Sequence, residues 1–187
     1  AMRRRNFGPG TGVATLTGRI PDLYVAALGT LKAHGTFTPL FSAFGPDPIS
    51  QRMNIGRTRV LVTTPLLYRR KVAPMLDRLP HLELVLVCGS TEDDLGARRR
   101  RAEGPEVMSF GAFLSLGSDA FEPDPTDPET PALVHFTSGT TGTPSYVPLT
   151  ASDLDNWVTA SARSYAASGI SAGQRPCPLA RPCVMDA

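Results

Sequence analysis

The sequence predicts an α/β fold, a parallel-type sheet with covering helices. Two observations carry this expectation. From residue 11 onward, apolar strand-like runs alternate with helix-like segments in the order strand, helix, strand, helix, strand. One of those runs, residues 82–88, is apolar enough to be buried on both faces, as a strand covered on two sides must be. The composition agrees. The 187 residues are 41% hydrophobic and 19% charged, which suits a packed core and not a disordered chain.

Each element has its own signal. Residues 11–17 read as a short strand of small apolar residues. Pro21 opens a helix over residues 22–34, because proline fits a first turn and Asp22 suits the positive helix end; Gly35 stops it. Residues 37–40 are a brief extended piece, and 48–56 a second, shorter helix. Residues 59–64 form a strand that Pro65 ends. A third helix spans 66–79 and is kinked or divided by Pro74. After the strand at 82–88, residues 109–116 read as a short helix. Residues 122–131 hold four prolines and read as an extended, exposed linker. Residues 134–136 are a strand, and 145–150 the strand that returns from the loop between them. Ser152 is a good N-cap for a last helix over 153–168, ended by Gly169. The final stretch, 175–187, has three prolines and no periodicity, and reads as a non-native or disordered tail.

Charge and cysteine usage narrow the function classes. A formal net charge of +2 argues against a broad nucleic-acid-binding face. The basic run Arg98 to Arg101 follows Glu92-Asp93-Asp94 and reads as a solvated helix end. The three cysteines, Cys88, Cys177 and Cys183, form no CxxC and no metal-ligand spacing, so a reducing cytoplasm is the expected location. No run approaches the ~18 apolar residues of a membrane span, and no apolar run follows the Arg3-Arg4-Arg5 triplet as it would in a secretory signal.

The richest chemistry sits in one loop, Thr137-Ser-Gly-Thr-Thr-Gly-Thr-Pro144. Phosphate needs backbone N–H groups converging on one point and hydroxyl donors nearby. Gly139 and Gly142 let a backbone turn into such a nest, and Thr137, Ser138, Thr140, Thr141 and Thr143 supply hydroxyls. The loop follows a strand, so in a parallel sheet it lies at the carboxyl edge, where ligands bind. It is neither G-x-x-x-x-G-K-[ST] nor G-x-G-x-x-G. On composition alone it reads more readily as a turn than as a phosphate cradle. His135 and Trp157 read as a packed or surface histidine and a packing tryptophan.

The stretch 137–144 closely resembles the phosphate-binding signature of the adenylate-forming superfamily, which includes acyl-CoA synthetases, luciferases and the adenylation domains of peptide synthetases. Residues 18–35 look like the helix these enzymes carry early in the N-terminal domain. Residues 37–46 are similar to the segment that follows in AMP-forming acetyl-CoA synthetases. That pattern continues Pro-Lys-Gly, whereas here it is Pro144-Ser145-Tyr146. Residues 145–157 with 162–170 are instead similar to phenylacetate-CoA ligases, in which the signature runs into a hydrophobic strand and a tryptophan-bearing helix.

The resemblance implies that residues 10–174 are part of the large N-terminal domain of an adenylate-forming enzyme, with its phosphate loop at 137–145. It implies MgATP, CoA and a carboxylate as ligands, the acid being acetate or a short-chain acid or a phenylacetate type. A carboxylate oxygen attacks the α-phosphorus of ATP, pyrophosphate leaves, and CoA thiolate then displaces AMP. Thr137, Ser138, Gly139, Thr140, Thr141, Gly142 and Thr143 take the β,γ-phosphate role. The family's Tyr/Phe-Gly-x-Thr-Glu motif and its C-terminal catalytic lysine have no match in these 187 residues. The chain therefore reads as an inactive piece of an acyl-CoA synthetase, as a non-catalytic phosphate-binding remnant, or as a truncated product without function.

Overall fold

The computed structural model describes residues 1–95, 104–118, 120–122, 125–138 and 143–169. The Arg98–Arg101 run, Gly139 to Gly142, Cys177, Cys183 and the 175–187 stretch lie outside the described residues. The chain divides into two units, Ala1–Ala151 and Ser152–Ala187.

The first unit is built on a seven-stranded sheet with order β5-β4-β3-β1-β2-β6-β7. Strands β1 (Gly12–Leu16), β2 (Thr36–Leu40), β3 (Thr58–Thr63), β4 (Leu84–Val87), β5 (Glu106–Ser109) and β6 (Pro131–Ser138) are parallel, and β7 (Pro144–Thr150) pairs antiparallel with β6. The expected fold class is the observed one. The helical elements between them are α1 (Pro21–Lys32), α2 (Pro46–Ile55), α3 (Pro65–Leu67), α4 (Glu92–Leu95) and α5 (Phe110–Ser115).

Strand alternation divides the core into two layers. On one face Ala14, Leu16, Leu61, Val85 and Val87 pack with Ile49 and Met53 of α2 and with Tyr68, Val72 and Met75. On the other, Val13, Val60, Val62, Leu84 and Leu86 meet Ala26 of α1 and Phe110 and Phe113 of α5. All four residues of β4 are buried, so the apolar 82–88 run is explained by cover on both faces.

Several local expectations change. Of the two outcomes expected at Pro74, a kink or a division, residues 65–78 show division: the α3 turn passes into a π-helical stretch, Tyr68–Val72, and a 3-10 stretch, Ala73–Arg78. Pro74 has no N–H for an α-helical ladder, and Met75 leaves helical geometry. Strand β5 was not legible; its sequence Glu-Val-Met-Ser is short and shows only half an alternation. Ser109 closes it and caps α5, its Oγ accepting from Ala112 N at 3.0 Å.

The end of α1 differs in an instructive way. His34, not Gly35, takes the left-handed conformation, at φ 58. Gly35 N donates to Thr30 O at 2.9 Å. What Gly35 supplies is space. A Cβ there would lie 2.9 Å from Thr11 O and 2.9 Å from Thr30 Cγ2. Its absence lets the turn enter β2 flush against the start of β1.

In the second unit, α6 (Ala151–Ala167) begins before Ser152, so that residue sits inside the first turn and is not the cap. Gly169 does end it, at φ +75. The helix buries none of its residues, and Trp157 is 64% exposed. The expected packing role fails because its own unit supplies no second described element to pack against.

Two predictions follow from the packing. Gly35→Ala drives a methyl into backbone and should destabilise the fold by about 2 kcal/mol, read as a lowered thermal midpoint; an unchanged midpoint would show that the turn relaxes freely. Cys88 is buried, and loss of water around the thiol, with the nearby Asp22 charge, pushes its pKa up to about 12. Iodoacetamide at pH 8 should leave Cys88 unmodified in the native chain and label it once the chain is denatured, as peptide mass spectrometry will report. Near neutrality the thiol is protonated in both states. As pH rises through the ordinary thiol range the unfolded chain ionises first, and the fold loses stability.

Candidate phosphate site at the carboxyl edge of the sheet

The site is positioned by the β6–β7 hairpin. Strand β6 runs parallel to β2, with Phe37 paired to Leu133, so it ends at the same edge as β1, β2 and β3. Val134 is buried on one side of β6, while His135 and Thr137 are exposed on the other. Antiparallel pairs then tie the two arms together: Phe136 to Tyr146, Thr137 to Ser145 and Ser138 to Pro144. The chain between Ser138 and Pro144 is thus fixed at both ends by a strand pair.

Of the sequence-predicted residues, the structure brings Thr137 and Thr143 to the mouth of this hairpin, both exposed, with Ser138 ending β6. Gly139, Thr140, Thr141 and Gly142 lie outside the described residues. Ser145, where the acetyl-CoA synthetase pattern has lysine, is exposed opposite Thr137. The arrangement offers hydroxyls and no cation on the strand arms themselves. Among the described residues no group of three or more His, Cys, Asp or Glu side chains could hold a metal ion.

Three features of this edge escaped sequence reasoning. Strands β1 and β3 are neighbours, yet β1 leads to β2 on one side and β3 to β4 on the other. Their carboxyl ends thus form a topological switch point, where crevices of such sheets lie. There Thr63 Oγ1 donates to Leu16 O at 2.9 Å. On the same strand end Thr15 and Thr17, 1% and 8% exposed, have side-chain oxygens without a hydrogen-bond partner. Second, Lys71 Nζ donates to Ser42 O at 2.6 Å and Phe44 O at 2.7 Å, tying down the β2–α2 connection. Third, the Arg52 guanidinium stands over the rings of Phe44, 4.3 Å from its centroid, and Phe136, at 5.9 Å. No periodicity signals these contacts, because Phe44, Arg52 and Phe136 meet only in the folded chain.

A cavity of about 600 Å³ opens elsewhere, between α1, α5 and the sheet at Val13, Val60 and Val62. Its size suits a ligand, but its walls are mainly apolar and include neither hairpin residues nor Thr15 and Thr17. Convergent polar groups, not volume, mark the chemistry, so the hairpin edge remains the candidate site.

The chain matches the AMP-binding enzyme family over residues 1–176. It is 32% identical over 145 residues to the acetyl-coenzyme A synthetase of Bacillus subtilis (strain 168), covering 78% of this chain and 23% of that protein. It is 31% identical over 117 residues to the peroxisomal long chain acyl-CoA synthetase 7 of Arabidopsis thaliana, covering 62% of this chain and 16% of that protein. The Brucella canis acyl-CoA synthetase structure aligns with a TM-score of 0.63 at 25% identity, over 80% of this chain and 25% of its own. An anthranilate CoA ligase solved with anthranoyl-AMP aligns at 0.71 and 20% identity, over 84% and 28%, a likeness of fold. The chain spans about a quarter of the length of the curated acetyl-CoA synthetases it matches. With a family match across most of the sequence and a sheet that aligns with that of an acyl-CoA synthetase, the chain belongs to the AMP-binding enzyme family.

Proposed function

We propose that the chain is the phosphate-loop part of an AMP-forming acyl-CoA synthetase, a cytoplasmic enzyme that converts ATP, a small carboxylate and CoA into acyl-CoA, AMP and pyrophosphate. One observation carries the reading: β6 delivers Thr137 and Ser138, the start of the TSGTTGTP signature, to the carboxyl edge of a parallel sheet. Thr137, Ser138, Gly139, Thr140, Thr141, Gly142 and Thr143 bind the β,γ-phosphates. Hydroxyl and backbone N–H donors held there hydrogen-bond the departing pyrophosphate and stabilise its charge as the α-phosphorus is attacked. Mg²⁺ would supply further neutralisation of that charge, and among the described residues no carboxylate cluster would hold it. The carboxylate is acetate or a short-chain acid on the strength of the acetyl-CoA synthetase relatives; Ser145 in place of lysine favours a phenylacetate-type acid.

Taken alone, the chain is a phosphate-binding unit without turnover, because the motifs for adenine, ribose and the second half-reaction have no counterpart in it. Purified chain should bind MgATP in a calorimeter, and Thr140→Ala with Thr141→Ala should weaken that binding by about a hundredfold or more, as loss of two charge-assisted hydrogen bonds implies. Unchanged affinity would reduce the loop to a turn. With ATP and CoA, neither acetate nor phenylacetate should give a thioester by mass spectrometry; a thioester from the purified chain would overturn the assignment of this chain as non-catalytic.

A further inference from the structure

A row of side chains connects α2 to the hairpin. Phe41 and Phe44 meet edge to face, with centroids 5.5 Å apart at 87°. Arg52 spans Phe44 and Phe136, and Phe136 meets Tyr146 at 5.9 Å and 74°. The row crosses from the β2–α2 connection, through α2, to both arms of the hairpin. Gly56 lies beside its far end: a Cβ there would meet Phe136 Cζ at an ordinary 3.7 Å and crowd only the backbone, at 3.2 Å from Arg52 O.

The guanidinium is held, not merely adjacent. Arg52 Nη1 donates to Pro48 O at 3.0 Å, one helical turn back. Phe44, on which it stacks, has its carbonyl clasped by Lys71. Burial among these rings pulls the Arg52 pKa down, the mark of a cation taken partly out of water. Among the described residues no carboxylate is bonded to it, and it faces the two rings instead. A planar, weakly hydrated guanidinium stacks on ring faces, where the compact ammonium of lysine keeps more of its water.

We propose that Arg52 is a positioning residue for the phosphate site: by joining Phe44 to Phe136 it fixes the hairpin that carries the TSGTTGTP signature. The inference rests on the phosphate-binding reading above. Phe136 precedes Thr137 and Ser138 directly, and its partner Tyr146 follows Ser145, so both arms of the loop are anchored through one cation. Phosphate groups then meet strand arms already held, and the ordering cost of binding is smaller.

The test compares Arg52→Lys and Arg52→Met with Arg78→Met. Arg78 also serves α2, bonding Ser50 Oγ at 3.1 Å and pairing with Asp47 at 2.7 Å, and among the described residues its side-chain hydrogen bond and ion pair stay on α2. In the calorimeter, both Arg52 variants should bind MgATP about tenfold more weakly, the size of a partly desolvated cation–π contact, while Arg78→Met binds as the parent does. Hydrogen exchange should quicken at the Phe136 and Tyr146 amides in the Arg52 variants and not in Arg78→Met, with circular dichroism unchanged in all three. If Arg52→Lys binds and exchanges like the parent, charge alone suffices and the stacking role is wrong. If Arg78→Met loosens the hairpin equally, Arg52 supports α2 and does not position the site. A parent chain that binds no MgATP overturns the phosphate reading, while the exchange comparison still decides whether Arg52 holds the hairpin.

Discussion

Double burial of the central strands is the constraint on which the structure depends. Strand β1 lies between β2 and β3, and its residues alternate between two apolar layers that only helices on both faces can cover. A strand in that position exposes no polar face, and its neighbours here run parallel, each reached by way of a covering element. The connections therefore leave at one end of the sheet. Every candidate for chemistry, from Thr17 to Thr137, gathers at that end because the core allows no other geometry.

This constraint explains what was legible in the sequence. Residues 59–64 and 82–88 announce themselves because a doubly buried strand must be written in apolar letters. Pro21 and Asp22 mark the start of α1 because the first helical turn has fixed electrostatic needs. The hairpin signature was legible through hydroxyl and glycine chemistry and through its resemblance to a known loop. Edge elements were not. Strand β5 has only half an alternation to show, and residues 65–78 change helix type at a proline whose consequence depends on what packs beside it.

The contacts that shape the candidate site lay beyond sequence reasoning for a different reason. The Phe44–Arg52–Phe136 row joins residues on three separate elements, and nothing in the spacing of 44, 52 and 136 ties them to one another. His34 likewise takes a conformation that favours glycine, while the adjacent Gly35 is kept for its lack of a side chain. Local pattern located the glycine correctly and misassigned its purpose. Trp157 shows the converse: a large aromatic on a helix usually packs, but α6 buries nothing in the described structure.

The β6–β7 hairpin has one more consequence, and it concerns chain entropy. Its two arms are near neighbours in the chain, and they pair residue by residue from Phe136–Tyr146 to Ser138–Pro144. Its docking on β2 joins Phe37 to Leu133, positions separated by most of the sheet. The entropy of closing that long loop thus falls on docking and hardly at all on forming the hairpin. The hydrogen-bonding edge of β2 thus takes its partner from far along the chain, while the two arms of the hairpin take theirs from close by.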